Sequence, residues 1–156
     1  MSKPLEPRLP EDLFTLLRTV ESQEESKKVI LFTTVDNDGW PRHGMLSRFE
    51  LVAKSRELLL MLLYKSSQGT TNLQKTGQVC LTIIDPDMSY YCCCNSRPIP
   101  SISEAPNEVL FELTVERVLE DSLPTAKIIS GIAFDGYDPG MTRENREQVF
   151  EKLLSM

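Results

Sequence analysis

The chain has one histidine and one tryptophan. A single imidazole excludes His-rich metal sites and argues against a His-dependent catalytic triad. Long apolar runs are absent. None approaches the roughly 20 residues of a bilayer span, so no membrane partner is expected. The opening MSKPLEPRLPEDL carries no apolar signal segment, and the expected location is cytoplasmic. Dense Lys/Arg runs are missing too, and the net charge is −6. That argues against nucleic acid or an anionic membrane as the main partner, but not against a small anion held by a few donors. The four cysteines are Cys80 and the run Cys92, Cys93, Cys94. A contiguous triplet lacks the C-x₂₋₄-C spacing of structural zinc, so no metal is expected. In a strand Cys92 and Cys94 face one way and Cys93 the other. They read as reduced, small hydrophobic residues.

What is present is the composition of an ordinary globule: 156 residues, 40% hydrophobic and 26% charged. That length predicts one domain with a core of its own. Three stretches organise it: an N-terminal helix within 1–27, a β core over 28–119, and a C-terminal loop and helix over 120–156. In the first, Pro10 suits a helix's first turn, and Leu13, Leu16, Leu17 and Val20 recur at helical spacing. From Glu21 to Lys28 the chain is polar, a helix end or loop.

Then the period changes. Val29–Val35 is β-branched and apolar, and Asp36-Asn37-Asp38-Gly39 is a turn in which Gly39 takes positive φ. A second strand is expected from about Arg42 to Ala53, with Pro41 at its start. Leu58–Tyr64 reads as a third strand, buried on both faces. Lys65–Gly77 is polar and predicts a short helix over about Thr70–Lys75, closed by Gly77. Val79–Ile84 and Tyr90–Asn95 are the fourth and fifth strands. Arg97–Asn107, with three prolines, reads as loop. Glu108–Leu119 alternates apolar and polar, a half-buried antiparallel strand. Ser122–Ser130 is expected as a short helix stopped by Gly131, Phe134–Met141 as loop, and Thr142 as the cap of a final helix. The predicted class is α+β, mainly β: a six-stranded antiparallel Greek-key split barrel with helices at both ends.

Chemistry concentrates at two places. In the second strand, Arg42-His43-Gly44-Met45-Leu46-Ser47-Arg48, Gly44 leaves room for close packing, and a flat ring is one candidate for the gap. In Lys65-Ser66-Ser67-Gln68-Gly69-Thr70-Thr71-Asn72, free amides at a helix start, hydroxyls and a lysine suit a phosphate monoester. Each also has a plainer reading: a bulge at Gly44, and a simple helix cap at the hydroxyls.

The order of these pieces carries a resemblance. VILFTTVDNDGWPRHGMLSRFELV is similar to the opening hairpin of the FMN-binding split barrels, the pyridoxamine 5′-phosphate oxidase-like family. SSQGTTNLQKTGQVCLTIID resembles that family's next element, S-x-x-x-x-N-L followed by a polar turn and an apolar strand. The likeness runs well from Lys28 to Asp85 and loosely through Glu108–Leu119. It implies a homodimer with FMN in grooves between subunits. Arg42, His43, Gly44, Met45, Leu46 and Ser47 would then follow the ring and ribityl chain. Lys65, Ser66, Ser67, Gln68, Thr70, Thr71 and Asn72 would lie near the phosphate. If the chain is an enzyme, the resemblance implies an FMN-dependent oxidoreductase acting on an unidentified small molecule. No side chain offers itself as a general base.

The chain departs from the family pattern in two places. Gln68 and Gly69 stand where the oxidases usually carry Arg-Lys or Arg-Thr. Two charge-assisted donors are missing, each worth roughly 1.5–3 kcal/mol, which weakens FMN by ~10²–10⁴-fold. Lys65 and Arg42 are the cations placed to compensate. Cys94-Asn95-Ser96 replaces the G-x-A often found in the fifth strand. The alternative reading is therefore a split-barrel dimer that has lost flavin and serves as a ligand-sensing or interaction module.

Overall fold

The computed structural model describes residues 1–136 and 142–156. One curled antiparallel sheet dominates. Its strands are β1 (Ser2–Pro4), β2 (Val29–Val35), β3 (Pro41–Ser47), β4 (Leu51–Ala53), β5 (Leu58–Tyr64), β6 (Gln78–Asp85), β7 (Met88–Ile99) and β8 (Glu108–Asp121). Four helices accompany it: α1 (Glu11–Leu16), α2 (Gln23–Ser26), α3 (Gln68–Thr76) and α4 (Arg143–Ser155). Hydrogen-bonded neighbours run β3-β2-β6-β7-β8-β5-β4, with β1 on β8.

The two ends of that order, β3 and β4, are separated in the chain only by a 3₁₀ turn, Arg48–Glu50. A flat sheet cannot place its outermost strands three residues apart. The connection forces the sheet to curl until its edges meet at this corner. Arg48 fastens the corner from within. Its guanidinium is buried and donates to the carbonyl oxygens of Leu16 and, at 3.0 Å, Thr19.

Eight strands stand where six are expected. The segment 42–53 does not run straight through, because the Arg48–Glu50 turn splits it, with the Glu50 carboxylate accepting from the Ser47 amide at 2.6 Å. The extra strand β1 pairs with the end of β8, Ser2 opposite Asp121. The N-terminal helix is shorter than its periodicity suggests. Pro10 caps a six-residue α1, and Leu9, Leu13 and Leu17 plug the core. β7 continues to Ile99, through part of the expected proline loop, because β8 offers a matched ladder and Pro98 sits opposite Phe111. No helix forms over Ser122–Ser130. The segment is held by a bridge between Leu123 and Ala126, and a Cβ at Gly131 would fall 2.1 Å from the Ile84 carbonyl oxygen. Of the expected loop Phe134–Met141, residues 137–141 lie outside the described residues.

The local signals around the site hold. Asp36 closes the hairpin turn by accepting from the amides of Asp38 (2.9 Å) and Trp40 (3.0 Å), and Gly39 takes φ 83°. Ser67 caps α3, and Gly77 ends it in the left-handed region at φ 67°. Thr142 caps α4.

Two apolar clusters result. One fills the concave side, with Leu13, Ile30, Phe32, Met61, Leu81 and Phe111 among its members. The other lies behind β4 and β5, where Phe49, Leu60 and Leu62 meet Val149, Phe150 and Leu153 of α4. β5 is thus buried on both faces, which is why LLLMLLY is apolar without alternation. A buried ionic cluster ties α4 down. Arg146 donates to Glu108 at 2.8 Å and to the Tyr64 hydroxyl at 3.0 Å, with Glu50 at 3.5 Å. Burial pushes the Glu50 carboxyl upward. Among the described residues no helix is long and apolar enough to cross a membrane.

Candidate functional site

β3 alternates across the sheet. Its concave side carries Arg42, Gly44 and Leu46, opposite Thr34, Phe32 and Ile30 of β2. His43 and Met45 face outward, paired with Thr33 and Leu31. The gap left by Gly44 is filled, and its occupant is the chain's own Phe32. A Cβ at Gly44 would lie 2.2 Å from the Phe32 ring. The same ring also crowds α3, since a Cβ at Gly69 would lie 2.7 Å from it. One buried phenyl therefore dictates glycine at both positions. The departure from the basic pattern at Gly69 has a packing cause.

Above that ring lies a niche of about 200 Å³, lined by Phe32, Thr34, Arg42, His43, Gly44, Ser67, Gln68 and Gly69. The structure thus brings Arg42, His43 and Gly44 together with Ser67 and Gln68. Ser67 accepts from the Thr70 amide at 3.1 Å, while the first-turn amides of Gln68 and Gly69 take no acceptor among the described residues. With Arg42 and His43 at the rim, the donor set fits a phosphate monoester or another small anion. It does not fit a tricyclic ring, which the Phe32 packing excludes from the niche.

The other expected residues are placed elsewhere. Leu46 is core, and Met45 is exposed. Ser47 starts the corner turn. Lys65 donates to the Pro106 carbonyl at 2.7 Å. Ser66 and Thr71 face solvent. Thr70 is buried and donates to the Tyr64 carbonyl at 2.7 Å. Asn72 is also buried. It donates to Thr34 Oγ1 and accepts from the Gln68 side chain, each at 2.9 Å, and so locks α3 to β2.

Thr34 also lines a second, larger concavity. This open groove of about 530 Å³ crosses the outer face over β2, β6, β7 and β8, and Thr33, Gln78, Cys80, Cys93, Asn95 and Arg117 contribute to it. Its size is in the range of small-molecule and cofactor sites. One straight row of directly opposed residues spans this face: His43, Thr33, Cys80, Cys93, Arg117. The Thr33 hydroxyl lies 2.8 Å from His43 Nδ1. Cys80 Sγ and Cys93 Sγ are 3.3 Å apart, and Arg117 donates to Cys93 Sγ at 3.5 Å. Desolvation and the neighbouring sulfur push the Cys80 thiol up to about 12. Cys92 and Cys94 are buried on the concave side, as strand alternation requires. No group of three or more His, Cys, Asp or Glu side chains is arranged for a metal among the described residues.

Sequence reasoning did not find the groove. The alternation of the cysteine run singles out Cys93, but its opposition to Cys80 and Arg117 depends on cross-strand register, for which the sequence offers no signal.

No family model matches the chain. It is 28% identical over 142 residues, 90% of its length and 92% of the relative's, to YclD, an uncharacterised protein of Bacillus subtilis (strain 168). Among solved structures, a Lactobacillus delbrueckii protein provisionally named a pyridoxamine 5′-phosphate oxidase superposes with a TM-score of 0.59 at 19% identity, covering 74% of this chain and 98% of that one. HupZ of Group A Streptococcus gives 0.56 at 13% identity, covering 72% and 98%. HutZ of Vibrio cholerae, named as a heme storage protein, gives 0.51 at 15%, covering 72% and 93%. A single antiparallel sheet curled until its edge strands meet, with a capped helix between β5 and β6, is the fold of the pyridoxamine 5′-phosphate oxidase-like split-barrel proteins.

Proposed function

We propose that the chain is an FMN-binding flavoprotein and, as an enzyme, an oxidoreductase on a small molecule, working as a homodimer of Greek-key split barrels. The observation that carries this is the adjacency of two concavities of complementary character. The niche at the start of α3 supplies Arg42, Ser67 and two free amides for a phosphoryl group, with His43 at its rim. The groove that begins at Thr34 has the volume for a larger, flat body. Flavin, when bound, supplies the electron transfer, and the chain's residues anchor and orient it. Among the described residues Arg42 is the one full cation lining the niche, so it carries the largest share of the anchoring. Val35, Trp40 and Met45 are 46%, 71% and 66% exposed on the same hairpin. A second copy covering them is consistent with a dimer.

The test is purification without added flavin, followed by FMN titration monitored by flavin absorbance and fluorescence. Binding at micromolar FMN is expected, with Arg42→Gln weaker by about 10–100-fold, the worth of one charge-assisted donor. Riboflavin, without the phosphate, is expected to bind more weakly than FMN and to be unaffected by Arg42→Gln. No response up to roughly 100 µM, a binding free energy weaker than about 5–6 kcal/mol, removes the flavin reading.

One observation favours a second reading, haem in the same groove. His43 is exposed beside the groove, its Nδ1 is fixed by Thr33, and its Nε2 takes no partner among the described residues. Haemin titration of the native chain and of His43→Ala separates the two readings. A protein indifferent to both ligands supports the ligand-sensing module.

A further inference from the structure

We propose that Cys80 and Cys93 form a thiol–disulfide exchange site on the floor of the outer groove, which takes small anionic disulfides and closes to a cross-strand disulfide. Three observations carry it, and none depends on flavin. The two residues are directly opposed on neighbouring antiparallel strands, and their sulfurs already stand 3.3 Å apart. Both thiols are only half-buried and line the same open groove, whereas Cys92 and Cys94 are sealed in the core. The third is Arg117, opposite Cys93 on β8, which places a guanidinium on that sulfur at 3.5 Å.

The asymmetry assigns the order of events. The Arg117 guanidinium beside Cys93 draws an anionic reagent to that sulfur, so Cys93 reacts first. Arg117 sits on the other sulfur, and desolvation with the neighbouring thiol keeps Cys80 protonated, so Cys80 acts second. In the first step Cys93 Sγ attacks one sulfur of a low-molecular-weight disulfide RS–SR. The Cys93–SR bond forms, the RS–SR bond breaks, and RS⁻ departs with the electron pair to take up the proton released by Cys93. In the second step Cys80 Sγ attacks Cys93 Sγ. The Cys80–Cys93 bond forms, the second RS⁻ leaves, and it takes up the proton from Cys80. Two protein thiols are oxidised and one small disulfide is reduced to two thiols, with no other reactant. Opposed strand positions hold Cβ atoms about 4.5–5.5 Å apart, against about 3.8 Å in a relaxed disulfide, so closing the bond draws β6 and β7 slightly together.

The experiment treats the full chain, purified free of flavin so that the groove is open, with oxidised glutathione, alkylates the remaining thiols, and reads intact mass and peptide maps. Two of the four thiols are expected to become unavailable, with the new link mapping to Cys80–Cys93. Cys80→Ser is expected to stop at a glutathione adduct on Cys93, and Cys93→Ser to leave Cys80 unmodified. Arg117→Gln is expected to slow oxidation by glutathione disulfide about tenfold while leaving the cationic disulfide cystamine little affected, the signature of steering and not of fold. The proposal is overturned if the native protein keeps four free thiols while the urea-unfolded chain reacts. It is equally overturned if the adducts map to Cys92 or Cys94, or if the two disulfides respond alike to the Arg117 change.

Discussion

The sharpest test of the packing behind the niche is Gly44→Ala. A methyl group there would sit 2.2 Å from Phe32 Cζ and 2.4 Å from Cε1, against an ordinary contact distance of at least 3.4 Å. The ring must therefore retreat by about an ångström. Phe32 is only 6% exposed and belongs to the concave-side core, so its retreat displaces neighbours. Overpacking of this kind costs about 1–3 kcal/mol, or roughly 2–12 °C in melting temperature for a chain of this length. Phe32→Leu alone loses volume and costs on the order of 1–2 kcal/mol. Combined, the smaller side chain makes room for the new methyl group. The double variant is expected to be more stable than the sum of the single effects by about 1–2 kcal/mol. Urea or thermal unfolding followed by circular dichroism measures all four corners of this cycle. Additivity within about 0.5 kcal/mol, or a neutral Gly44→Ala, would refute the claim that Phe32 dictates the glycine.

The same logic makes Gly69→Lys disruptive alone but tolerated with Phe32→Leu, and in that background FMN is expected to bind about tenfold or more tightly, as fluorescence titration would show. Removing the Arg146 guanidinium with Arg146→Met strands Glu108 and crowds it against Glu50; a loss of about 3–5 kcal/mol is expected, seen as early melting and protease cleavage within α4. Alkaline stability should fall as well: burial pushes the Cys92 thiol up to about 12, so the unfolded chain, ionising near its ordinary value of 9.0, releases its proton first. Raising the pH between those values pulls the equilibrium toward unfolding by about 1.4 kcal/mol per pH unit for that thiol, and Cys92→Ala should flatten the slope of unfolding free energy against pH.

Strand positions were legible where local chemistry decides them. The Asp36–Gly39 turn, Gly77 at the end of α3, the doubly buried β5 and the Thr142 cap all follow from residues within a few positions of one another. The misses have tertiary causes. Nothing local in Arg48-Phe49-Glu50 announces a corner. That turn exists because the sheet must close on itself, and a buried arginine reaches back to carbonyl groups some thirty residues earlier. The proline stretch after Asn95 became strand because β8 was long enough to pair with it. At the candidate site, the hydroxyl-rich segment was visible as a helix start, but five of the seven polar side chains over 65–72 are spent on internal bonds. Gly44 was visible as a gap, while the ring that fills it lies twelve residues upstream and its identity depends on register.

The corner at 48–50 also bears on how the molecule opens. Because neighbouring chain segments, not a ladder of amide bonds, bring β3 and β4 together, the hoop has a clasp and no weld. The clasp is Arg48 gripping the backbone around α1. On its other side the β2–β3 hairpin, which carries Arg42 and His43, is held by the β2–β6 ladder and by Asn72 on Thr34. The wall of the niche is thus tied down at both ends, by the corner turn beyond Ser47 and by the α3 side chain that grips Thr34.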